Sequence, residues 1–280
     1  MIKKLQYFYY YIRLLSIDIV LGVLAGGIYA VKIFNISVPL VFWLLLPATV
    51  WFIYIADHLT DGLKAAFKPV SAKYRFYLVH AKTFLYTLLF IFLFNIVLFI
   101  VYLGHYLRIF GVVAAFLVLI YFAVHNLSGK NNRYFMQKEI LIALVYTFGI
   151  FGAPLWISGK IEPWQVLILT GYMAMALANV LICSLYDVEA DKAMNQSSMA
   201  TRKGTRLTRL AIALVLICSY IISFLMAAIF HYYFYAILHF SISSIFLLLL
   251  LIPSKVPDNE LYGIITDAAF FLPALVLLKI

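Results

Sequence analysis

Charge is what this sequence has least of. Only 11% of its 280 residues are Asp, Glu, Lys or Arg, and 66% are apolar. A soluble domain carries roughly a quarter charged and about half apolar residues, so a water-soluble globular protein is excluded. No polar block is long enough to bury a core of its own, and one domain over 1–280 is expected. Cysteine is scarce as well. Cys183 and Cys218 stand alone in apolar surroundings, where they read as small core residues without zinc spacing. An aromatic–basic recognition module is also missing, so the net charge of +10 does not imply nucleic acid.

What the sequence does have is apolar runs of roughly 18 residues or more, the length that crosses a bilayer as a helix. Nine spans are expected, at 14–31, 38–56, 83–103, 109–125, 139–157, 164–186, 207–229, 235–252 and 262–279, giving an all-α polytopic membrane protein. The short link "GHYLR" predicts a tight hairpin between the third and fourth spans, and the junction near His231 is equally short. The first apolar stretch has no small-residue cleavage site behind it and is expected to be retained as a helix.

The cations are unevenly placed. With the N-terminus in the cytoplasm, only Lys32, Arg108, Lys160 and Lys279 fall outside, and the other 17 of the 21 Lys and Arg lie inside. This fits the positive-inside rule, and nine spans then put the C-terminus outside. Anionic membrane lipids or a phosphorylated lipid substrate are the natural partners of such loops.

Against this scarcity of acids, four of seven aspartates form two DxxxD pairs, Asp57/Asp61 in "YIADHLTDGLK" and Asp187/Asp191 in "YDVEADK". Each pair lies at the cytoplasmic end of an expected span, the second and the sixth. Residues i and i+4 share a helical face about 5–6 Å apart. Two carboxylates there repel, and the negative end of the helix dipole adds to the cost. A divalent cation relieves both. Mg2+ takes one or two carboxylates and leaves positions open for phosphate oxygens. One pair alone reads more simply as a wet helix end paired with lysines; two pairs at matching ends favour a joint metal–phosphate site. Lys64, Lys68 and Arg75 follow the first pair, Lys192, Arg202 and Lys203 the second, and Lys138 begins the fifth span on the same side. As a set they suit a diphosphate clamp, and each alone suits a topology determinant.

These two Asp motifs in a nine-helix membrane chain resemble the UbiA superfamily of intramembrane prenyltransferases. "DVEADK" followed by "SMATRKG" is similar to the family's second motif, and the likeness extends through "KEILIALVYTFGIFGAP" and "YGIITDAAFFLPAL". The resemblance implies a UbiA-like helical bundle that uses Mg2+ to move a polyprenyl group from an isoprenyl diphosphate to an aromatic or other lipophilic acceptor. It implies catalytic and metal-binding roles for Asp57, Asp61, Asp187 and Asp191. The family's first motif reads NxxxDxxxD, whereas this chain has Ile53 in place of the Asn, which marks a divergent branch. A UbiA-type terpene cyclase or a weakly catalytic prenyl-diphosphate-binding homologue therefore stays open.

Ionisation of an allylic diphosphate needs fixed positive charge for the leaving anion and aromatic faces for the carbocation. Tyr54, one turn before Asp57, Tyr186, beside Asp187, and Asn179, two turns deeper, are the candidate cavity-lining residues. Each tyrosine reads equally well as an interfacial anchor. A transporter or lipid-binding protein is the reading from another class. Its candidates would be Asp18, Asp267, Asn95 and Asn179, but Asp18 and Asp267 lie at expected helix starts, where the dipole favours an acid. Pro47 and Pro154 offer no paired broken helices. His58 and His80 read as hydrogen-bonding residues and not ligands.

Overall fold

The computed structural model describes residues 9–64, 72–127, 136–194, 196–251 and 261–278. Among these, nine helices are long and apolar enough to cross a membrane, and the chain is an integral membrane protein. In hydrocarbon each backbone N–H and C=O must find its partner within its own segment, which leaves the helix as the spanning form here. In chain order the elements are α1 (Ile17–Phe34), α2 (Leu40–Lys64), α3 (Ala72–Val79), α4 (Ala81–Val97), α5 (His105–Leu127), α6 (Met136–Ser158), α7 (Pro163–Tyr186), α8 (Val188–Ala193), α9 (Met199–Lys203), α10 (Thr205–Ala228), α11 (Tyr233–Leu251) and α12 (Leu261–Ala269). A helical stretch at 9–14 precedes α1.

The nine spans match those read from hydropathy, with two informative differences. The second runs on to Lys64 instead of stopping near 56, so Asp57 and Asp61 sit inside a continuous helix. The ninth changes type partway: α12 gives way to a 3-10 helix over Leu272–Leu278. Pro273 explains the break, because it has no N–H to give and disfavours helical geometry just before it. The chain bridges the gap with the i→i+3 bonds Phe270 N to Asp267 O (3.1 Å) and Phe271 N to Ala268 O (3.0 Å).

Turn chemistry closes the hairpins. A π-turn over Leu98–Tyr102 ends α4, and Arg108 from α5 donates to Leu103 O and Ile100 O, both at 2.7 Å. Those carbonyls have no helical partner left, so a cation suits them. At the other short junction His231 takes a left-handed conformation (φ 57). Glu162 opens α7, its N–H bound to Gln165 Oε1 at 2.8 Å and Pro163 in the first turn.

The main core gathers α1, α6, α7, α10 and α11 around Tyr29, Ile150, Tyr172, Met175, Ile182, Ile212 and Phe246. Gly171 lets α7 approach α11: a Cβ there would lie 2.5 Å from His239 Nδ1. A second cluster of Ile55, Leu59, Tyr77, Phe84 and Ile91 packs α2 against α3 and α4. The α4–α5 hairpin stands apart. It keeps Leu85, Tyr86, Phe90, Val112, Phe116 and Leu119 exposed, as lipid-facing residues must be.

Candidate functional site

The first motif is held as its spacing predicts and the second is not. Asp57 and Asp61 lie in the last turns of α2, Asp61 buried at 4% exposure. Asp187 is not on the same helix as Asp191. Its backbone (φ −84, ψ 3) ends α7 and opens α8. One helical bond survives the bend, Asp191 N to Asp187 O at 2.8 Å, so the two carboxylates still sit a turn apart.

The first aspartate of each pair accepts a hydrogen bond from a tyrosine on a distant helix. Tyr121 of α5 donates to Asp57 Oδ1 at 2.7 Å, and Tyr262 of α12 donates to Asp187 Oδ1. Tyr262 is itself fixed by Tyr186, with ring centroids 4.7 Å apart and planes 7° from parallel. Tyr186 sends its hydroxyl to Leu249 O at 2.8 Å. It therefore supports Tyr262 and does not line the cavity.

Charge from the first motif reaches the second. Burial pushes the Asp191 carboxyl up to about 6; Ser198 lowers it by a hydrogen bond, Asp187 raises it, Lys138 lowers it and Asp61 raises it. The Asp61 charge of the first motif thus bears on Asp191 of the second. Tyr74 of α3 feels carboxylates of both motifs. Burial lifts its phenol well above the usual value, and the charges of Asp61, Asp57 and Asp191 all add to the rise.

The basic loop behind the second motif is tied down by polar contacts that the spacing did not reveal. Ser198 caps α9, its Oγ accepting from Thr201 N at 3.4 Å. Met199 N donates to Glu139 Oε1 (2.7 Å) and Ala200 N to Ser184 Oγ (3.1 Å). These bonds place Arg202 at the end of α9, close enough to Glu139 for their charges to interact. Of the other expected cations, Lys138 acts on Asp191 and Arg75 is exposed on α3. Lys192 is half exposed and paired with Glu189 at 2.9 Å, a surface pair on α8. Lys64 ends α2 with its side chain outside the described residues, and Lys68 lies outside them altogether.

A cavity of about 30 Å³, room for about one or two waters, sits in the membrane beside the first motif. Tyr54, Asn179, Tyr146 and Asp267 line it, with Gly22 and Phe270. Tyr54 and Asn179 were expected there; Tyr146 and Asp267 were not. Asp267 is the seventh residue of α12 and not in its first turn, so the dipole argument does not hold it. An arginine does: Arg13 Nη1 reaches Asp267 Oδ2 at 3.1 Å and Asp18 Oδ2 at 3.2 Å. Gly263 makes that possible, since a Cβ there would lie 2.1 Å from Arg13 Nη2. The same segment is pinned by Trp51 Nε1 donating to Leu15 O (2.9 Å) and by His58 Nε2 against Ser16 Oγ (3.2 Å). His58 is thus a buried hydrogen-bonding residue, as its setting suggested.

The oxygen-only donor set suits a hard cation such as Mg2+. Among the described residues no three of His, Cys, Asp and Glu gather tightly enough to hold an ion alone. The paired carboxylates therefore fit an ion that completes its shell with phosphate or water oxygens.

Among the described residues the arrangement is an all-helical intramembrane bundle whose fold is like that of solved UbiA homologues. An apo UbiA homologue from Aeropyrum pernix K1 matches over 93% of this chain and 98% of its own, with TM-score 0.68 and 10% identity. A UbiA homologue from Archaeoglobus fulgidus bound to GPP and Mg2+ matches over 96% and 99%, with TM-score 0.68 and 16% identity. The same homologue bound to DMAPP and Mg2+ covers equal shares at TM-score 0.58 and 17% identity. No protein-family model matches the sequence, nor does any curated protein. The likeness is one of fold.

Proposed function

We propose that the chain is a Mg2+-dependent intramembrane prenyltransferase that moves a polyprenyl group from an isoprenyl diphosphate to an aromatic or other lipophilic acceptor. The observation that carries this reading is that the leading carboxylate of each motif is held by a tyrosine from a distant helix, Tyr121 on Asp57 and Tyr262 on Asp187. The A. fulgidus homologue of like fold, bound to GPP and Mg2+, supports the ligand class. In this reading the pairs Asp57/Asp61 and Asp187/Asp191 hold Mg2+ together with diphosphate oxygens, while Lys138, Arg202, Arg75, Lys64 and Lys68 serve the diphosphate. The metal, when bound, neutralises charge on the departing diphosphate.

The chain's own residues do the remainder. Tyr121 and Tyr262 hold the leading carboxylate of each motif in one orientation, which saves reorganisation when the leaving group gains charge. Tyr54 and Tyr146 offer electron-rich ring faces in the adjoining cavity. The placing of 17 of 21 cations supports an N-terminus in the cytoplasm, a C-terminus outside and a site facing the cytoplasm.

The 30 Å³ cavity and Ile53 in place of the motif's Asn favour a second reading, a prenyl-diphosphate-binding homologue of low activity or a terpene cyclase. Mass analysis of products from membranes given Mg2+, labelled geranyl diphosphate and a phenolic or quinol acceptor tests these. A prenylated acceptor supports transfer, and a cyclised hydrocarbon supports the cyclase. Movement of label across the membrane with no covalent product overturns both in favour of transport.

A further inference from the structure

The same end of the bundle carries a second polar feature, on α10 and α11, that the aspartates do not use. An open groove of about 770 Å³ is lined by Arg206, Leu207, Arg209, Leu210, Ala213 and Leu250. Arg206 is exposed and Arg209 half-buried. Arg209 Nη1 donates to Leu250 O at 2.7 Å, which closes the floor of the groove and fixes the guanidinium at the end of α11. The ion pairs among the described residues leave both arginines without a carboxylate. Leu207 and Leu210 are 47% and 55% exposed.

These residues open a span that runs over Thr205–Ala228, so the guanidinium groups lie at its polar end with exposed leucines beside and beyond them. Water suits the first and not the second; hydrocarbon suits the second and not the first. An occupant that satisfies both carries an anion and an apolar chain on one molecule. We propose that the groove binds an anionic phospholipid, its phosphate on Arg206 and Arg209 and an acyl chain along Leu207, Leu210 and Ala213. Guanidinium groups suit phosphate because they donate in pairs, and basic pockets between membrane helices take such headgroups. Among the described residues no carboxylate lines the groove, so a phosphate can bind there on the arginines without a divalent metal. The proposal is thus independent of the prenyl-transfer reading.

The test uses the purified full chain in neutral detergent with EDTA, which removes metal-dependent binding at the aspartates. Phosphatidylglycerol, phosphatidylcholine with the same acyl chains, and soluble glycerol 3-phosphate are titrated, with retained lipid read by native mass spectrometry and unfolding by temperature. The expected result is retention of phosphatidylglycerol with a raised midpoint, weak binding of phosphatidylcholine and no effect of glycerol 3-phosphate. R206Q and R209Q should each weaken phosphatidylglycerol binding about five-fold, and the double variant about 25-fold. Equal binding of the two lipids overturns the proposal, as does an equal effect of the soluble headgroup. Wild-type affinity in the double variant also overturns it. If R209Q fails to fold for want of its bond to Leu250, the exposed R206Q carries the test alone.

Discussion

Tyr262 donates its hydroxyl hydrogen to Asp187 across 75 positions of sequence, while its ring lies parallel to that of Tyr186 at 4.7 Å. Three helices, α7, α11 and α12, thereby fix the direction of one carboxylate. The counterpart in the first motif is Tyr121 on Asp57. Groups that orient a metal ligand are worth about 10- to 100-fold in metal affinity. Tyr262→Phe and Tyr121→Phe are each expected to lower apparent Mg2+ affinity in that range with the fold intact. Isothermal titration with Mg2+ and a non-hydrolysable geranyl diphosphate analogue measures it, and wild-type affinity in both variants would sink the role assigned to the hydroxyls.

The aspartates themselves give the sharper result. Asp57→Ala or Asp187→Ala should abolish Mg2+-dependent binding of the same analogue, because each removes a ligand and leaves its paired carboxylate unable to hold the ion alone. Retained binding in either variant counts against a shared site.

Arg13 is the tie between Asp18 and Asp267. The set is partly buried, so removing Arg13 leaves uncompensated charge at a cost below the about 3–5 kcal/mol of a fully buried pair. Arg13→Ala should therefore lower the unfolding midpoint in detergent, and Asp18→Asn with Asp267→Asn on that background should recover part of the loss. No recovery would mean that Arg13 acts through packing and not through charge.

Two glycines give opposite expectations. At Gly171 a Cβ would meet His239 Nδ1 at 2.5 Å, whereas at Gly149 nothing lies within 4 Å. Gly171→Ala should destabilise by about 1–3 kcal/mol through overpacking of α7 on α11. Gly149→Ala should stabilise by about 0.5–1 kcal/mol, since it lies inside α6 and loses chain entropy only. Chemical unfolding in mixed micelles compares them, and equal effects would refute the close approach.

The nine spans and the four aspartates were legible because hydropathy and charge are properties of residues one at a time. The tyrosines were not, because 21 of them punctuate the chain and the pattern does not say which way each faces. Tyr186 shows the difficulty. Adjacent to Asp187 in sequence, it turns to Leu249 O, and the residue that reaches the carboxylate comes from α12. The short helix α9 was also hidden, since its order comes from Ser198, Glu139 and Ser184 meeting backbone N–H groups and not from any apolar repeat. Asp267 was read as a helix-start acid because the expected ninth span begins just before it. Its real partner, Arg13, lies 254 positions away, beyond the reach of any local pattern.

The α4–α5 hairpin makes the bilayer a participant in the site. Only 6% of the span on α5 is buried within the protein, yet α5 supplies the hydroxyl that orients Asp57. Lipid is therefore the chief neighbour of the element carrying that hydroxyl, and the thickness and lateral pressure of the membrane act on its tilt. The tyrosine of the second motif belongs to a span of which 33% is buried within the protein, so it leans less on lipid. Extraction into detergent should loosen the first half of the site before the second, so the two aspartate pairs differ in how far their geometry belongs to the chain and how far to the membrane around it.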